Sequence, residues 1–401
     1  MKADDKFFFA FCVAGLLAIL SSTMSKNPIL PLLSESLGAQ GVTLGLIAAA
    51  STVPGILVSL PAGSLSDTVG RRKVMWVSAI VFATAPFLYL LVATPLELVI
   101  VRFYHGFATA IFVPVANAVI VDRYPQRKAE KLSLFSSSTL VGRSLAPFLG
   151  GGILVLTNSD YHDVYWVVGL AGVATLVAIF AVFRRGKDVD AAPAERRSLG
   201  PQLRTLAGDL HVVVASSVEG AQYFVYGSFE FFMVAYAQHV GLGVGAITLI
   251  AGVPIVTVVF SKPVMGGLSD RFGRFWPITA GLVLSSLPLL VIPITSSFPI
   301  LLMTSLVYGF GFSEATSSTT ALVSDISGGS ASGSAMGFLG TVMDIGQALG
   351  PLVTGYVVAT SAGYVGGFWL LAGVLLVFAT IFALTFIRSN PRRQKGLGGD
   401  D

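Results

Sequence analysis

One cysteine, Cys12, and four histidines are all that 401 residues offer for redox or soft-metal chemistry. A lone cysteine closes no internal disulfide and says nothing of redox compartment. The histidines are scattered, and neither His-Glu-x-x-His nor Gly-x4-Gly-Lys-Ser/Thr occurs. Metal-assisted hydrolysis and P-loop phosphate handling therefore have no residues to run on, so no enzyme, metal or cofactor is expected. Charge is equally scarce: Asp, Glu, Lys and Arg make up 11% of the chain, against 54% hydrophobic residues and a mean hydropathy of +0.80. That composition does not suit a water-facing surface and places the chain in a lipid bilayer.

What is present is a series of long apolar runs. The first, about 7–33, exceeds the roughly 20 residues that cross a hydrocarbon core. It continues through NPILPLL without a small-x-small site, which argues against a cleavable signal peptide. Further spans are drawn at about 43–62, 74–93, 96–121, 132–157 and 163–183, then 211–238, 245–265, 276–295, 299–323, 333–358 and 364–387. Between the sixth and seventh, RRGKDVDAAPAERRSLGPQLRTLAGD breaks the apolar character with charge, proline and glycine. The expected organisation is a six-helix bundle over 1–184, a cytoplasmic linker over 185–209, a second bundle over 210–388 and a polar tail over 389–401.

Lysine and arginine in short loops mark the cytoplasmic side. Loops after spans two, four, six and eight carry Arg71, Arg72, Lys73, Arg123, Arg127, Lys128, Arg184, Arg185, Lys187, Arg196, Arg197, Arg204, Arg271 and Arg274. Loops after spans one, three, five, seven, nine and eleven carry none. Both termini are expected in the cytoplasm, and the net charge of +4 describes loops beside an anionic leaflet, with no nucleic-acid partner implied.

The chain also repeats itself. GSLSDTVGRRKV (63–74) returns as GGLSDRFGR (266–274), with Asp270 standing 203 residues after Asp67 (270 − 67). The same offset carries Gly106 to Gly309 and Asp122 to Asp325. Because each unit holds an even number of spans, the copies share one orientation, the parallel-repeat arrangement in which substrate sits between halves near the midplane.

Gly63, Asp67, Gly70, Arg71 and Arg72 together resemble the loop between the second and third helices of the major facilitator superfamily, with Asp270 and Arg274 as its weaker echo. Pro28-Ile-Leu-Pro31 resembles the Pro-x-x-Pro of twelve-span facilitators, and Arg102-Phe-Tyr-His105-Gly106 their Arg-x-x-Gln-Gly element with histidine replacing glutamine. Gly142, Pro147, Gly150 and Gly151 are similar to the Gly-Pro-x-x-Gly-Gly signature of the drug:proton antiporter branch, with Ala146 replacing one glycine that the second copy, Gly350-Pro351, keeps. The resemblance implies an all-α membrane protein, twelve transmembrane helices in two six-helix parallel repeats. It also implies that Asp67 meets the start of helix eleven as a gate, that Asp122 accepts Arg71 or Arg72, and that Asp325 accepts Arg274. The bland alternative is interfacial charge satisfied by water and headgroups. For the glycine-proline motif it is ordinary close packing.

Charges inside spans cost roughly 2.5–3.5 kcal/mol each at a helix centre and usually face a cavity. Here they are Lys26, Arg102, Arg143, Glu219, Glu230, Glu314 and Asp344. Glu219, Gln222, Tyr223, Tyr226 and Glu230 follow helical spacing and predict one polar stripe on helix seven. Arg102, His105 and Thr109 predict a similar face on helix four, and Tyr308, Glu314 and Ser318 one on helix ten. His105 is read either as a group titrating near neutral pH or as a hydrogen-bonded stand-in for glutamine. Glu230 is expected to pair with Lys26 or Arg102 when the outer side is closed.

The expected function is secondary transport of a small organic solute by alternating access, with protons as coupling ion, export as the direction and a monomer as the unit. An importer of a metabolite and a non-transporting membrane sensor or assembly partner remain the alternatives. The loop charges make the topology testable. Single cysteines at 158–163 and 296–299, in a Cys12→Ala background, should react with an impermeant thiol reagent on intact cells, whereas cysteines at 184–209 should not; labelling of the linker in sealed cells would reverse the orientation.

Overall fold

The computed structural model describes residues 3–184 and 208–387, and all regular structure among them is helical. The expected linker lies outside these residues except for Gly208 and Asp209, and the expected tail lies outside entirely. The first half comprises α1 (Ala3–Met24), α2 (Ile29–Ser36), α3 (Val42–Ala50), α4 (Val53–Val69), α5 (Arg71–Leu88), α6 (Pro95–Arg123), α7 (Lys128–Leu156) and α8 (Tyr161–Arg184). The second comprises α9 (Leu210–His239), α10 (Val244–Phe272), α11 (Phe275–Val291), α12 (Phe298–Val358) and α13 (Gly363–Ile387).

Ten segments among the described residues are long and apolar enough to cross a membrane. The two expected spans missing from that set are α9 and the α3–α4 pair, whose apolar part, Val42–Val58, is shorter. For α9 the reason is its surroundings. It is buried along nearly its whole length against both arms of α12 and against α13, so its polar residues meet protein where other helices meet lipid.

Expected spans one and two are each broken. Between α1 and α2 the chain unwinds at 25–28, and Tyr165 of α8 donates its hydroxyl hydrogen to the freed Ser25 carbonyl at 3.2 Å, as a backbone acceptor in an apolar interior requires. The break between α3 and α4 falls where Pro54 supplies no N–H to the preceding turn.

The glycine-rich loop is shorter than its composition predicts. α4 continues through Val69 and α5 begins at Arg71, so the turn is Gly70 alone, at φ +103°. Its repeat, Gly273 at φ +84°, ends α10 in the same way. Only glycine adopts that backbone without a Cβ clash, and this lets one residue reverse the chain. Asp67 and Asp270 therefore sit on the last turns of helices; the side chain of Asp67, and Gly63, lie outside the residues described in detail.

α12 carries expected spans ten and eleven in one stretch of helical backbone. A straight 61-residue helix would be about 90 Å long, some three hydrocarbon cores. Its two arms, however, run in opposite directions along α9. Tyr308 stacks on Phe229 and Phe312 on Tyr226, whereas Gly350 meets Phe224 and Thr354 meets Ser228. The chain must reverse between Val323 and Ala335, which lie in one cluster with Val212 and Ala215.

The Gly70 and Gly273 turns define one end of the bundle, the motif end; the connections at 37–41, 157–160, 240–243 and 359–362 define the far end. Close approaches between halves gather at the far end. Gly151 meets Thr248, Phe148 meets Gly252, Gly45 meets the Pro351 carbonyl, and Gly41 meets Ala359. Toward the motif end Gly55, Gly337 and Gly340 face open space. The halves are sealed at one end and apart at the other.

The antiporter-like motif residues act here in packing. Gly142 lies on the α1 backbone at Leu16, Gly150 on Met24, and Gly350 on α9 at Phe224 and Ser228; Pro147 and Pro351 are buried. Gly142→Ala should destabilise the protein by about 1–3 kcal/mol through overpacking, while Gly152→Ala, which meets nothing within 4 Å, should be neutral. Thermal denaturation in detergent compares them directly; equal effects would remove the packing assignment.

Candidate functional site

Between the halves the in-span charges form layers along the bundle axis. Nearest the far end, Lys26, in the break between α1 and α2, donates to Glu230 Oε2 in an ion pair that crosses from the first half to the second. Tyr226 donates to the other oxygen, Oε1, at 3.2 Å. Glu230 is mostly enclosed, its side chain 9% exposed, so the pair stands in place of hydration.

The middle layer holds Arg143, Asp344, Tyr223 and Tyr226. Arg143 is exposed at mid-helix, and its direction follows from the α7 surface. Val141, Leu145 and Leu149 form an exposed apolar stripe, and Arg143 lies two residues, about 200°, from Leu145. It thus points away from the lipid-facing side, and it acts electrostatically on Tyr223, Tyr226 and Glu230 of α9. Asp344, half-buried on the second arm of α12, likewise lies about 140° from the exposed Leu349 and acts on Tyr223. Phe312 closes the aromatic wall, its ring centroid 5.4 Å from Tyr223 and 4.7 Å from Tyr226.

Toward the motif end lies Glu219, 1% exposed, with Oε2 lacking a hydrogen-bond partner. Its charged neighbour is Lys262 of α10, exposed where the halves part. Sequence reasoning missed Lys262 because it stands just ahead of the basic GGLSDRFGR turn and reads as part of it; the drawn span 245–265 nevertheless contains it.

Several expected placements change. Arg102 and His105 are each 3% exposed and sit inside the first half, off the cavity surface. Arg102 donates to Ser51 and Tyr89 at 2.5 and 3.4 Å, and His105 Nδ1 lies 3.2 Å from the Tyr89 hydroxyl. Polar partners inside the bundle compete successfully with the cavity. Of the two partners expected for Glu230, the structure pairs it with Lys26. Gln222 leaves the α9 stripe and donates to Ser285 of α11 at 3.5 Å, because three residues place it at the stripe's edge. Glu314 does not share a face with Tyr308: it lies about 200° from Phe312 and only 40° from the exposed Phe310.

At the motif end the two repeats build the same cluster. Arg71 Nε donates to Asp122 at 3.0 Å and its guanidinium also reaches Ser66; Arg274 Nε donates to Asp325 at 2.9 Å and Nη1 to Ser269 at 3.2 Å. Asp270 adds a 2.5 Å contact with Arg274. Arg71 is thus the partner of Asp122, and Arg72 stacks over Trp76 at 4.6 Å.

At the far end a cleft of about 720 Å³ runs between the halves, lined by Glu35, Gln40, Ala359, His239 and Tyr364 among others. Glu35 of the first half faces Tyr364 of the second, whose ring lies 5.1 Å from that of His239. None of these was singled out from sequence, since each stands at a helix end where polar residues are ordinary.

A family model described as Major Facilitator Superfamily matches residues 11–217 and again 215–401. An uncharacterised transporter of that type from Methanocaldococcus jannaschii, MJ1560, is 22% identical over 82% of this chain and 85% of its own. The quinolone resistance protein NorA of Staphylococcus aureus is 22% identical over 82% of this chain and 84% of its own. Among solved structures, the nucleoside transporter NupG superposes with a TM-score of 0.80 at 15% identity, over 95% of this chain and 99% of its own. A bacterial homologue of the human lysosomal transporter Spinster, in an inward-facing and unoccupied conformation, gives 0.77 at 16% identity over 96% of each. These neighbours have the same all-α membrane fold.

The Lys26–Glu230 pair yields a stability test. Removing one partner of an enclosed pair costs about 3–5 kcal/mol, whereas replacing both by apolar groups is often close to neutral. Lys26→Met and Glu230→Met should each destabilise more than the double variant in thermal melts. Each single change should also raise thiol labelling of a cysteine placed at Gln40. Additive losses with unchanged labelling would mean the pair does not hold the far end shut.

Proposed function

The chain belongs to the major facilitator superfamily, and from that premise we propose that it is a proton-coupled exporter of a small organic solute, working by alternating access as a monomer in an inner or plasma membrane. The basic loops support a cytoplasmic motif end; in this reading the closed far end is the outer side and the state is inward-open. The observation that carries the reading is the ladder of charges from far end to motif end: a cross-half ion pair, an open middle layer, and Glu219 beside Lys262 where the halves part.

Glu219 is the proton carrier in this reading. A carboxylate buried beside one cation, with an unpartnered oxygen, changes its interaction with Lys262 when it gains or loses a proton, and so biases the two-state equilibrium. Export is supported by the name of one relative, a quinolone resistance protein. The second reading, uptake of a metabolite, is supported by the nucleoside transporter among the structural neighbours.

Proteoliposomes decide between them. Solute-driven proton movement is expected, with its sign giving direction; a sensor or assembly partner would show none. Glu219→Gln should let solute exchange proceed without proton movement, and retention of coupled proton flux in that variant would remove Glu219 as the carrier. Asp67→Asn should impair transport with little loss of folded protein, shifting the state equilibrium by roughly 0.3–1 kcal/mol for an exposed helix-dipole contact and up to about 2 if partly buried. Full activity with unchanged accessibility at both ends would end the gate assignment.

A further inference from the structure

Among the in-span charges without an ion pair, Glu314 turns toward the exposed Phe310 and Arg102 is held by Ser51 and Tyr89, which leaves Arg143 and Asp344 facing the space between the halves. Lys26 neutralises Glu230, and Lys262 stands beside Glu219. Arg143 of the first half and Asp344 of the second have neither an ion pair nor a side-chain hydrogen bond among the described residues. Asp344 lies within about 20° around α12 of Pro351 and Gly355, which meet the first half at Gly45 and Gly41, and Arg143 lies about 80° around α7 from Gly151, which meets Thr248 of the second half; the two therefore face one another's half without closing on each other. Each points away from the apolar exterior of its helix, and each is accessible.

A cation on one wall, an anion on the other and a floor of Tyr223, Tyr226 and Phe312 between them define a ligand. We propose that the cavity takes a zwitterionic aromatic solute, its carboxylate on the Arg143 guanidinium and its ammonium on the Asp344 carboxylate. The proposal rests on the transporter reading and supplies its substrate class. A simple cation or anion satisfies one wall and leaves the opposite charge without a partner. A zwitterion satisfies both, and because the two walls belong to different halves its affinity depends on their separation. Differential affinity of that kind is what lets a solute shift a conformational equilibrium.

Three aromatic zwitterions of increasing charge separation serve as probes: tryptophan, 4-(aminomethyl)phenylacetate and 4′-(aminomethyl)biphenyl-4-carboxylate. Each is compared with its methyl ester, which keeps only the cation, and its N-acetyl derivative, which keeps only the anion. Binding to the purified protein is read by thermal stabilisation and calorimetry. At least one parent should bind about tenfold or more tighter than both of its derivatives, the scale of one charge-assisted hydrogen bond. In Arg143→Gln the advantage over the ester should vanish while the advantage over the N-acetyl compound stays; in Asp344→Asn the pattern should invert. That selective loss is something a purely structural role would not produce. Esters or N-acetyl compounds binding as tightly as their parents would overturn the proposal, as would variants that weaken all three members of a set equally. Failure of every parent to bind would overturn it as well. These outcomes leave the transporter reading standing, because that reading falls only if no solute drives proton movement in proteoliposomes.

Discussion

An ionised side chain in the middle of a bilayer must find an opposite charge, a set of hydrogen-bond donors or a path to water, and the interior of this protein is arranged by that requirement. Helix α9 shows it most directly. It carries Glu219 and Glu230, and it is buried along nearly its whole length. Glu230 finds Lys26 across the interface, Glu219 finds Lys262 on a neighbouring helix, and Arg102 is held by Ser51 and Tyr89 inside one half. Those solutions then dictate geometry. Lys26 reaches Glu230 from a break in its own span, and Tyr165 covers the carbonyl that the break exposes.

The two halves share a backbone plan and differ in charge. At the motif end the repeat is kept residue for residue, with a serine, an arginine and an aspartate at matching positions in each copy. In the interior the copies diverge. Lys26, Arg102 and Arg143 come from the first half, while Glu219, Glu230, Glu314 and Asp344 come from the second, which adds one cation, Lys262. The ion pair that crosses the interface therefore has a fixed sense, cation from the first half and anion from the second.

Much of this was legible in the sequence. The apolar runs located the spans because hydropathy reports contact with lipid, and the 203-residue offset located the repeat because two copies of one bundle keep their turns in register. Legibility failed where neighbours, not periodicity, decide. Spacing placed Glu314 with Tyr308, yet a six-residue separation puts them well apart around the helix. Composition called Gly63–Val74 a loop, whereas a single positive-φ glycine makes the turn and the rest is helix. Arg102 and His105 read as cavity residues because nothing in the sequence announces Tyr89, the hydroxyl that draws both inward. Lys262 was hidden by its position beside a run of basic residues.

The ion pairs also differ in what they resist. Arg71–Asp122 lies within the first half and Arg274–Asp325 within the second, so neither opposes separation of the halves at the motif end. Lys26–Glu230 spans the interface, and beside it glycines bring backbone from both halves into contact. Opening the far end therefore means breaking an enclosed ion pair and a packed seam together, with each charge needing a new partner as it leaves the other. Arg143, in the same half as Lys26, is a cation without an ion pair among the described residues. On the proposed reading the middle layer that takes the solute is also the layer able to compensate Glu230 when the far end opens, and occupancy of that layer is then tied to the state of the far-end seal.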